Sequence, residues 1–461
     1  MKKKNIASNS NKFFSSKVGL IMATVGSAVG LGTIWRFPAE AQAGGGSAFL
    51  LIYIGCVLLL GIPVMLSEFV IGRAGRSDAV GAFKHLSPGT KWFWVGGAGI
   101  FTSLLITVFY MVVAGWTLEY LIESLTGNLY SGITQGGDAM TASFNEKMKE
   151  YVTSDSYPLI GTLLVVAINI AILLGGVRKG IERMANIAMP LLFFMLLAFM
   201  FVAMSQPGAS AGVEYFLKPD FTKVTPAVFI SALGQALFSL SLGMGILITY
   251  ASYYPDSTNL IKTSGTVSLL TLLIAIMMGL IIFPAVSAFG IADHEMAGTT
   301  LVFVTLPEVF AQLPGGQFWS ILFFVLLLLA ALTSTVSIAE PAIAFVRDRF
   351  QTSRKKATLI ILLPMFILSG ICSLSFGCLD CVKICGLNIF ESLDALTNNI
   401  LLPLVAIGGC LYVGWFAPKG LLINQLSNNG KIPTHLSGAI QFALRFIAPP
   451  AILAIMIAGL G

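Results

Sequence analysis

KVGLIMATVGSAVGLGTIWRFPAE, residues 17–40, and VTPAVFISALGQALFSLSLGMGILITYASY, residues 224–253, are each long and apolar enough to cross a membrane. Each is interrupted near its middle by glycines, in GSAVGLG (Gly26 to Gly32) and SLSLGMG (Ser239 to Gly245). A single such stretch indicates close packing, because small residues are common where membrane helices touch. Two of them indicate more, because they open the first and the sixth of a series of apolar runs. That spacing fits two structural repeats of five spans, each starting with a broken helix. Unwound backbone at membrane depth is tolerated only where it lines a cavity or is buried in protein. Its freed N–H groups can hold a carboxylate, and its freed carbonyls a cation.

Outward from these two runs, eleven candidate spans are read at about 17–40, 47–72, 93–124, 158–175, 183–205, 224–253, 264–289, 317–346, 357–377, 387–415 and 437–460. Of the 461 residues, 56% are hydrophobic and only 10% charged, with a mean hydropathy of +0.88. Soluble domains average about 25% charged residues, so soluble, disordered and disulfide-scaffold classes are excluded. Continuous apolar runs also exclude a membrane barrel, whose segments alternate. The first run is expected to be retained, since no small-residue cleavage site follows a short apolar segment. With the N-terminus inside, twenty Lys/Arg residues fall in inside loops and five outside. The positive-inside rule then predicts a cytoplasmic N-terminus, and the odd span count an outside C-terminus. The net charge of +6 reflects this topology and not nucleic-acid affinity.

Between the spans, residues 125–157 read as a solvated outside loop, rich in Ser, Thr, Gly and mixed charges. The outside loop 290–316 is less polar, ends in TLPEVFAQLPGG and is expected to pack back into a vestibule. Cys378, Cys381 and Cys385 have C-x-x-C-x-x-x-C spacing with no fourth Cys or nearby His, which favours loop thiols or one disulfide over a metal. His85, His294 and His435 are all expected in loops. Without convergent catalytic groups inside the bilayer, an enzyme is not expected.

Four longer motifs carry a resemblance. GSAVGLGTIWRFP (Gly26 to Pro38), GGGSAFLLIY (Gly44 to Tyr53), GQALFSLSLGMG (Gly234 to Gly245) and AALTSTVSIAEP (Ala330 to Pro341) resemble, in order, the signature of the neurotransmitter:sodium symporters. The chain is similar to the bacterial amino-acid transporters of that family, particularly those with eleven spans instead of twelve, and resembles the bacterial leucine transporter. The resemblance implies an all-α plasma-membrane protein of eleven transmembrane helices. Spans 1–5 and 6–10 would form an inverted repeat with helices 1 and 6 broken, followed by span 11. Its parts would be a cytoplasmic segment 1–16, a first repeat 17–205, an outside linker 206–223, a second repeat 224–416, and a cytoplasmic loop with the eleventh helix, 417–461. The implied function is sodium-coupled symport of a neutral hydrophobic amino acid by alternating access. The partners would be that small molecule and the lipid bilayer, with no nucleic acid, in a monomer or weak homodimer. The alternative is a transporter-derived sensor or channel-like protein without coupled flux.

Residue by residue, the resemblance gives one sodium the hydroxyls of Thr333 and Ser334 and the carbonyls of Gly26, Val29 and Ala330. On sequence grounds alone, Ser and Thr in a span more often bond back to their own helix. Tyr110 lies too deep for an interfacial belt, and a buried hydroxyl needs a partner. By resemblance it binds the substrate carboxylate with the N–H groups of Leu31 and Gly32, while Ala28, Phe238, Ser239 and Ser241 take the ammonium. Amine-transporting relatives carry an acid where this chain has Gly30, so a carboxylate-bearing substrate is favoured. Ile106, Phe238, Met244 and Ile338, with Ser334, complete an apolar pocket in which flexible Met244 broadens the range. Arg36 and Asp394 would form the outer gate with Phe238 as lid, and Asp348 with Lys12 an inner gate. Glu68 would anchor the broken first helix. Gly180 and Pro190 would bound a stretch of span 5 that unwinds to admit water to the sodium.

The resemblance also implies a second sodium site, with weaker side-chain oxygens in this chain. Its ligands would be Ala28, Thr33, Ser239 and Thr271, with hydroxyls where the family usually has amide or acid side chains, and Ala275 where chloride-independent relatives carry an acid. Three readings stay open: a weak sodium bound only with substrate, a single coupled sodium, or chloride assistance through Tyr53, Gln235 and Ser239.

Overall fold

The computed structural model describes residues 14–134, 136–291 and 298–459. The described residues are helical apart from turns and one isolated bridge, Ile384 to Leu387. The chain first forms α1 (Lys17–Ala28), capped by the Ser16 hydroxyl, which accepts from the Gly19 N–H. After a break at residues 29–31, α2 (Gly32–Ala43) continues at 55° to α1. Then follow α3 (Ser47–Gly75), α4 (Phe93–Thr126), α5 (Tyr157–Leu174) and α6 (Val177–Met204). A second break separates α7 (Pro226–Ser239) from α8 (Ile246–Ser252). The remaining long helices are α9 (Leu260–Phe289), α10 (Gly316–Arg349), α11 (Arg354–Phe376), α12 (Ile389–Phe416) and α13 (Ser437–Ala458). Among the described residues nine helices are long and apolar enough to cross a membrane, and the bent pair α1–α2 makes up to ten.

The 34-residue helices α4 and α10 run through the middle, with most of their apolar residues buried. Small residues let neighbours close in: a Cβ on Gly115 of α4 would lie 2.6 Å from the Thr162 nitrogen of α5. The peripheral helices present Leu164, Phe194, Ile367 and Ile457 outward, an apolar rim suited to hydrocarbon.

Two expectations change, those for the stretch 125–157 and for His85. The stretch 125–157 is not a loose excursion, because Gly137–Thr153 is a helix. Met140 and Phe144, four apart and so on one helix face, pack on Val304. His85 sits in a short helix, Ala79–Leu86, held by its Nδ1 to the Gly75 carbonyl at 3.0 Å. Cys378, Cys381 and Cys385 are exposed and unpaired, and among the described residues no group of three His, Cys, Asp or Glu is placed to hold a metal. The segment Leu301–Phe310 packs inward and is buried, as its apolar character suggested.

Candidate functional site

Both breaks meet at one place. In the first, the Leu31 N–H donates to Tyr110 Oη of α4 at 2.8 Å, so the deep tyrosine finds a freed backbone group. In the second, Ser241 takes a left-handed φ of 54°, uncommon for a residue with a Cβ. That turn aims its hydroxyl at the Ser27 carbonyl of α1, to which it donates at 2.8 Å. Ser27, not singled out from the sequence, also donates to Ser241 Oγ at 3.3 Å. The Gly243 N–H is held by Glu68 Oε1 of α3 at 2.7 Å. Glu68 was expected to anchor the first break, and this bond ties it to the second instead. The reason is packing: α3 lies against α7 and α8, where a Cβ on Gly61 would meet the Leu240 side chain at 2.4 Å and one on Gly72 the Ile248 carbonyl at 1.9 Å.

Around the breaks lies a small cavity. Ala28, Gly32, Ile106, Tyr110, Phe238, Ser239, Ser241, Met244, Ser334 and Ile338 line it, together with Ser27 and Gly30. Of the expected substrate residues only Leu31 lies outside this lining, and it faces the adjoining outer cavity. The polar lining at the breaks comes from the hydroxyls of Tyr110, Ser27, Ser239, Ser241 and Ser334 and from the broken backbone. The apolar lining comes from Ile106, Met244, Ile338 and the Phe238 ring. A Cβ at Gly30 would lie 2.2 Å from Ser334 Oγ and 2.5 Å from Tyr110 Oη, so any side chain there must displace both hydroxyls.

Phe238 also lines the outer cavity, which Arg36 and Asp394 border as well. The Arg36 guanidinium lies 5.1 Å from the Phe238 ring centre. Its ion pair is with Glu40 at 3.4 Å, whereas Asp394 accepts from Asn398 Nδ2 at 2.6 Å. The two expected gate charges thus face one cavity, each with another partner. Glu40, which also accepts from the Ser231 hydroxyl, was not foreseen.

On the other side of the breaks, α10 meets α1. Ser334 Oγ donates to the Gly26 carbonyl at 3.3 Å. Thr333 Oγ1 bonds back to Leu329 and Ala330 carbonyls at 3.1 and 2.9 Å, and its Cβ lies 3.3 Å from where a Gly26 Cβ would be. These neutral oxygens form a donor set that suits a hard, singly charged cation, and unwound helix carbonyls serve that purpose in membrane carriers.

Thr33 Oγ1 donates to the Ala28 carbonyl at 3.1 Å and Thr271 Oγ1 to the Val267 carbonyl at 3.0 Å. Tyr53 Oη and Ser239 Oγ are 2.8 Å apart, and Gln235 Nε2 donates to the Gly32 carbonyl at 2.9 Å. Gln235 Oε1 is buried with no partner among the described residues.

Towards the end of the molecule that carries Ser15, Asp348 pairs with the adjacent Arg347 at 2.8 Å, while Lys12 lies outside the described residues. The stronger pair there was missed: buried Glu340 of α10 holds Arg354 at 2.6 Å and accepts from Tyr253 Oη at 2.8 Å. An acid inside a span is a functional candidate by default, and Glu340 in SIAEP was such a signal. Gly180 sits in a π-helical turn, Val177–Glu182, at the start of α6, and Pro190 lies within that helix.

Comparison with known proteins agrees with this geometry. The family model of the sodium:neurotransmitter symporter family matches residues 11–156 and 146–460. The sodium-dependent transporter YhdH of Bacillus subtilis (strain 168) is 35% identical over 448 residues, covering 96% of each chain. A sodium-dependent transporter of Haemophilus influenzae is 37% identical, covering 97% of this chain and 98% of its own. The crystal structure of MhsT in complex with L-phenylalanine superposes with a TM-score of 0.87 at 39% identity, over 97% of this chain and 99% of that one. The chain therefore belongs to the sodium:neurotransmitter symporter family, whose members are sodium-dependent secondary transporters and not enzymes.

Proposed function

We propose that this protein imports a neutral, hydrophobic L-amino acid, driven by sodium, through alternating access. The observation that carries the reading is the cavity at the two breaks. There a freed backbone N–H meets Tyr110 Oη, and Ile106, Met244, Ile338 and Phe238 supply apolar surface with no charged side chain in the lining. Gly30 leaves the carboxylate its place and supplies no fixed anion for a bare amine. This favours an amino acid, although the bovine sodium-dependent dopamine transporter is a relative at 26% identity over 96% of this chain. The bound L-phenylalanine of MhsT supports the same substrate class.

In this reading Tyr110, Leu31 and Gly32 hold the carboxylate, and Ala28, Phe238, Ser239 and Ser241 the ammonium. Gly26, Val29, Ala330, Thr333 and Ser334 hold sodium. Arg36 and Asp394 approach each other over Phe238 when the outer cavity closes. Joining α7 to α8 as one broken span makes eleven, with an inverted repeat of five and five, a cytoplasmic N-terminus and the C-terminus outside. Uptake into proteoliposomes with and without a sodium gradient tests the proposal. Leucine, phenylalanine and tyrosine should compete for one sodium-dependent uptake, and dopamine-like amines should not. Equal competition by an amine lacking a carboxylate overturns it.

The second cation position is the weak one in this chain, since Thr33 and Thr271 offer hydroxyls only. Sodium activation of uptake should be near-hyperbolic or contain one low-affinity component. Thr33→Asn with Thr271→Asp should raise sodium affinity by supplying stronger oxygens. Steep two-sodium activation that ignores both positions would contradict this assignment. Tyr53, Ser239 and Gln235 form the alternative, a chloride position, which replacing chloride by gluconate in the same assay distinguishes.

A further inference from the structure

Glu182 has no part in the site described so far, yet it is buried, at 2% exposure. It ends the π-helical turn that opens α6 and reaches α1, 167 residues earlier. Its Oε2 accepts from the Ser15 N–H at 2.9 Å. Its Oε1 accepts from the Ser15 hydroxyl at 2.6 Å, the Ser16 N–H at 3.2 Å and the Ser16 hydroxyl at 3.3 Å. A Cβ on Gly19 would lie 2.0 Å from Oε1, so only glycine admits the carboxylate to this first turn. A carboxylate there also faces the positive end of the α1 dipole.

About two turns further along α6 stands Met189. Its sulfur lies 3.6 Å from the place of a Gly26 Cβ, beside Thr333. α6 thus grips α1 twice, at its free end through Glu182 and at the proposed sodium position through Met189. The residues between these grips are those bounded by Gly180 and Pro190.

We infer that Glu182 is a positioning residue, a clasp that binds α1 to the start of α6 so that α6 cannot loosen over the sodium unless α1 is released too. The inference rests on the sodium reading of Gly26, Thr333 and Ser334. Opening towards the N-terminal face then requires loss of the Ser15–Ser16–Glu182 bonds and of sodium together. Without the clasp, the sodium-free protein spends more time open, and sodium must offset that larger open population to close it.

Hydrogen exchange of the full chain in lipid nanodiscs, across a sodium titration, tests this. In Glu182→Ala, segments 17–28 and 180–190 should exchange at least about fivefold faster without sodium, and the sodium concentration for half-protection should rise about fivefold. Segment 93–126 should be unchanged, as simple destabilisation would not allow. Ser15→Ala, which removes one hydroxyl and spares the Ser16 cap, should shift the midpoint the same way by about twofold. It decides the question if the alanine variant at 182 does not fold. Faster exchange limited to residues 15–19, with an unchanged sodium midpoint, overturns the clasp. If sodium protects neither segment in the wild type, the sodium reading fails as well.

Discussion

Gly30→Ala is expected to weaken amino-acid binding by about a hundredfold, or about 2.7 kcal/mol, while leaving the fold intact. The added methyl would fall 2.2 Å from Ser334 Oγ and 2.5 Å from Tyr110 Oη, separations that real contacts do not show. Both atoms end side chains that can turn away, so the helices need not shift. Turning away breaks the bond from Ser334 to the Gly26 carbonyl and the bond from the Leu31 N–H to Tyr110. Each such bond contributes about 0.5–1.5 kcal/mol, and the carboxylate place is blocked besides. Equilibrium binding of labelled leucine or phenylalanine, beside a thermal unfolding curve, checks both halves of this expectation. Binding within threefold of wild type would mean that these hydroxyls do not face the ligand.

Thr333→Ala with Ser334→Ala should lower sodium-dependent uptake by more than tenfold, at least about 1.4 kcal/mol. The pair removes two oxygens from a small neutral shell. Thr333 now bonds to its own helix, as isolated membrane Ser and Thr commonly do, and a cation would compete with those bonds. A sodium titration of uptake by the folded double variant is the measurement. Unchanged sodium dependence removes the site from the mechanism.

The breaks, the long spans and the depth of Tyr110 were legible in the sequence because each is a local property of one run of residues. Partnerships across helices were not. VMLSEFVIG announces a buried acid, but only the packing of α3 against α7 and α8 decides that Glu68 meets Gly243 and not the first break. Glu340 and Arg354 stand 14 apart across a turn between two spans, so no helical periodicity connects them. Glu182 and Ser15 are further still. The helix Gly137–Thr153 was hidden by its polar composition, with Met140 and Phe144 its main apolar marks. The π-helical turns, such as Gly32–Arg36 and Val57–Gly61, leave no compositional trace at all. The gate charges Arg36 and Asp394 were recognisable as residues, but their present partners, Glu40 and Asn398, depend on how far apart the helices stand.

The bend after Ala28 makes α1 a lever with its fulcrum at residues 29–31, beside the cavity. Its 12 residues span about 18 Å. A swing of about 20° about residues 29–31 would carry Lys17 about 6 Å sideways yet move atoms one turn from the pivot by only about 2 Å. The far end thus travels about three times as far as the Gly26 carbonyl, yet a shift of about 2 Å at that carbonyl is enough to undo a cation contact made there. An unbroken helix pivoting at its centre would have to swing both ends at once, so neither half could move while the other stayed packed.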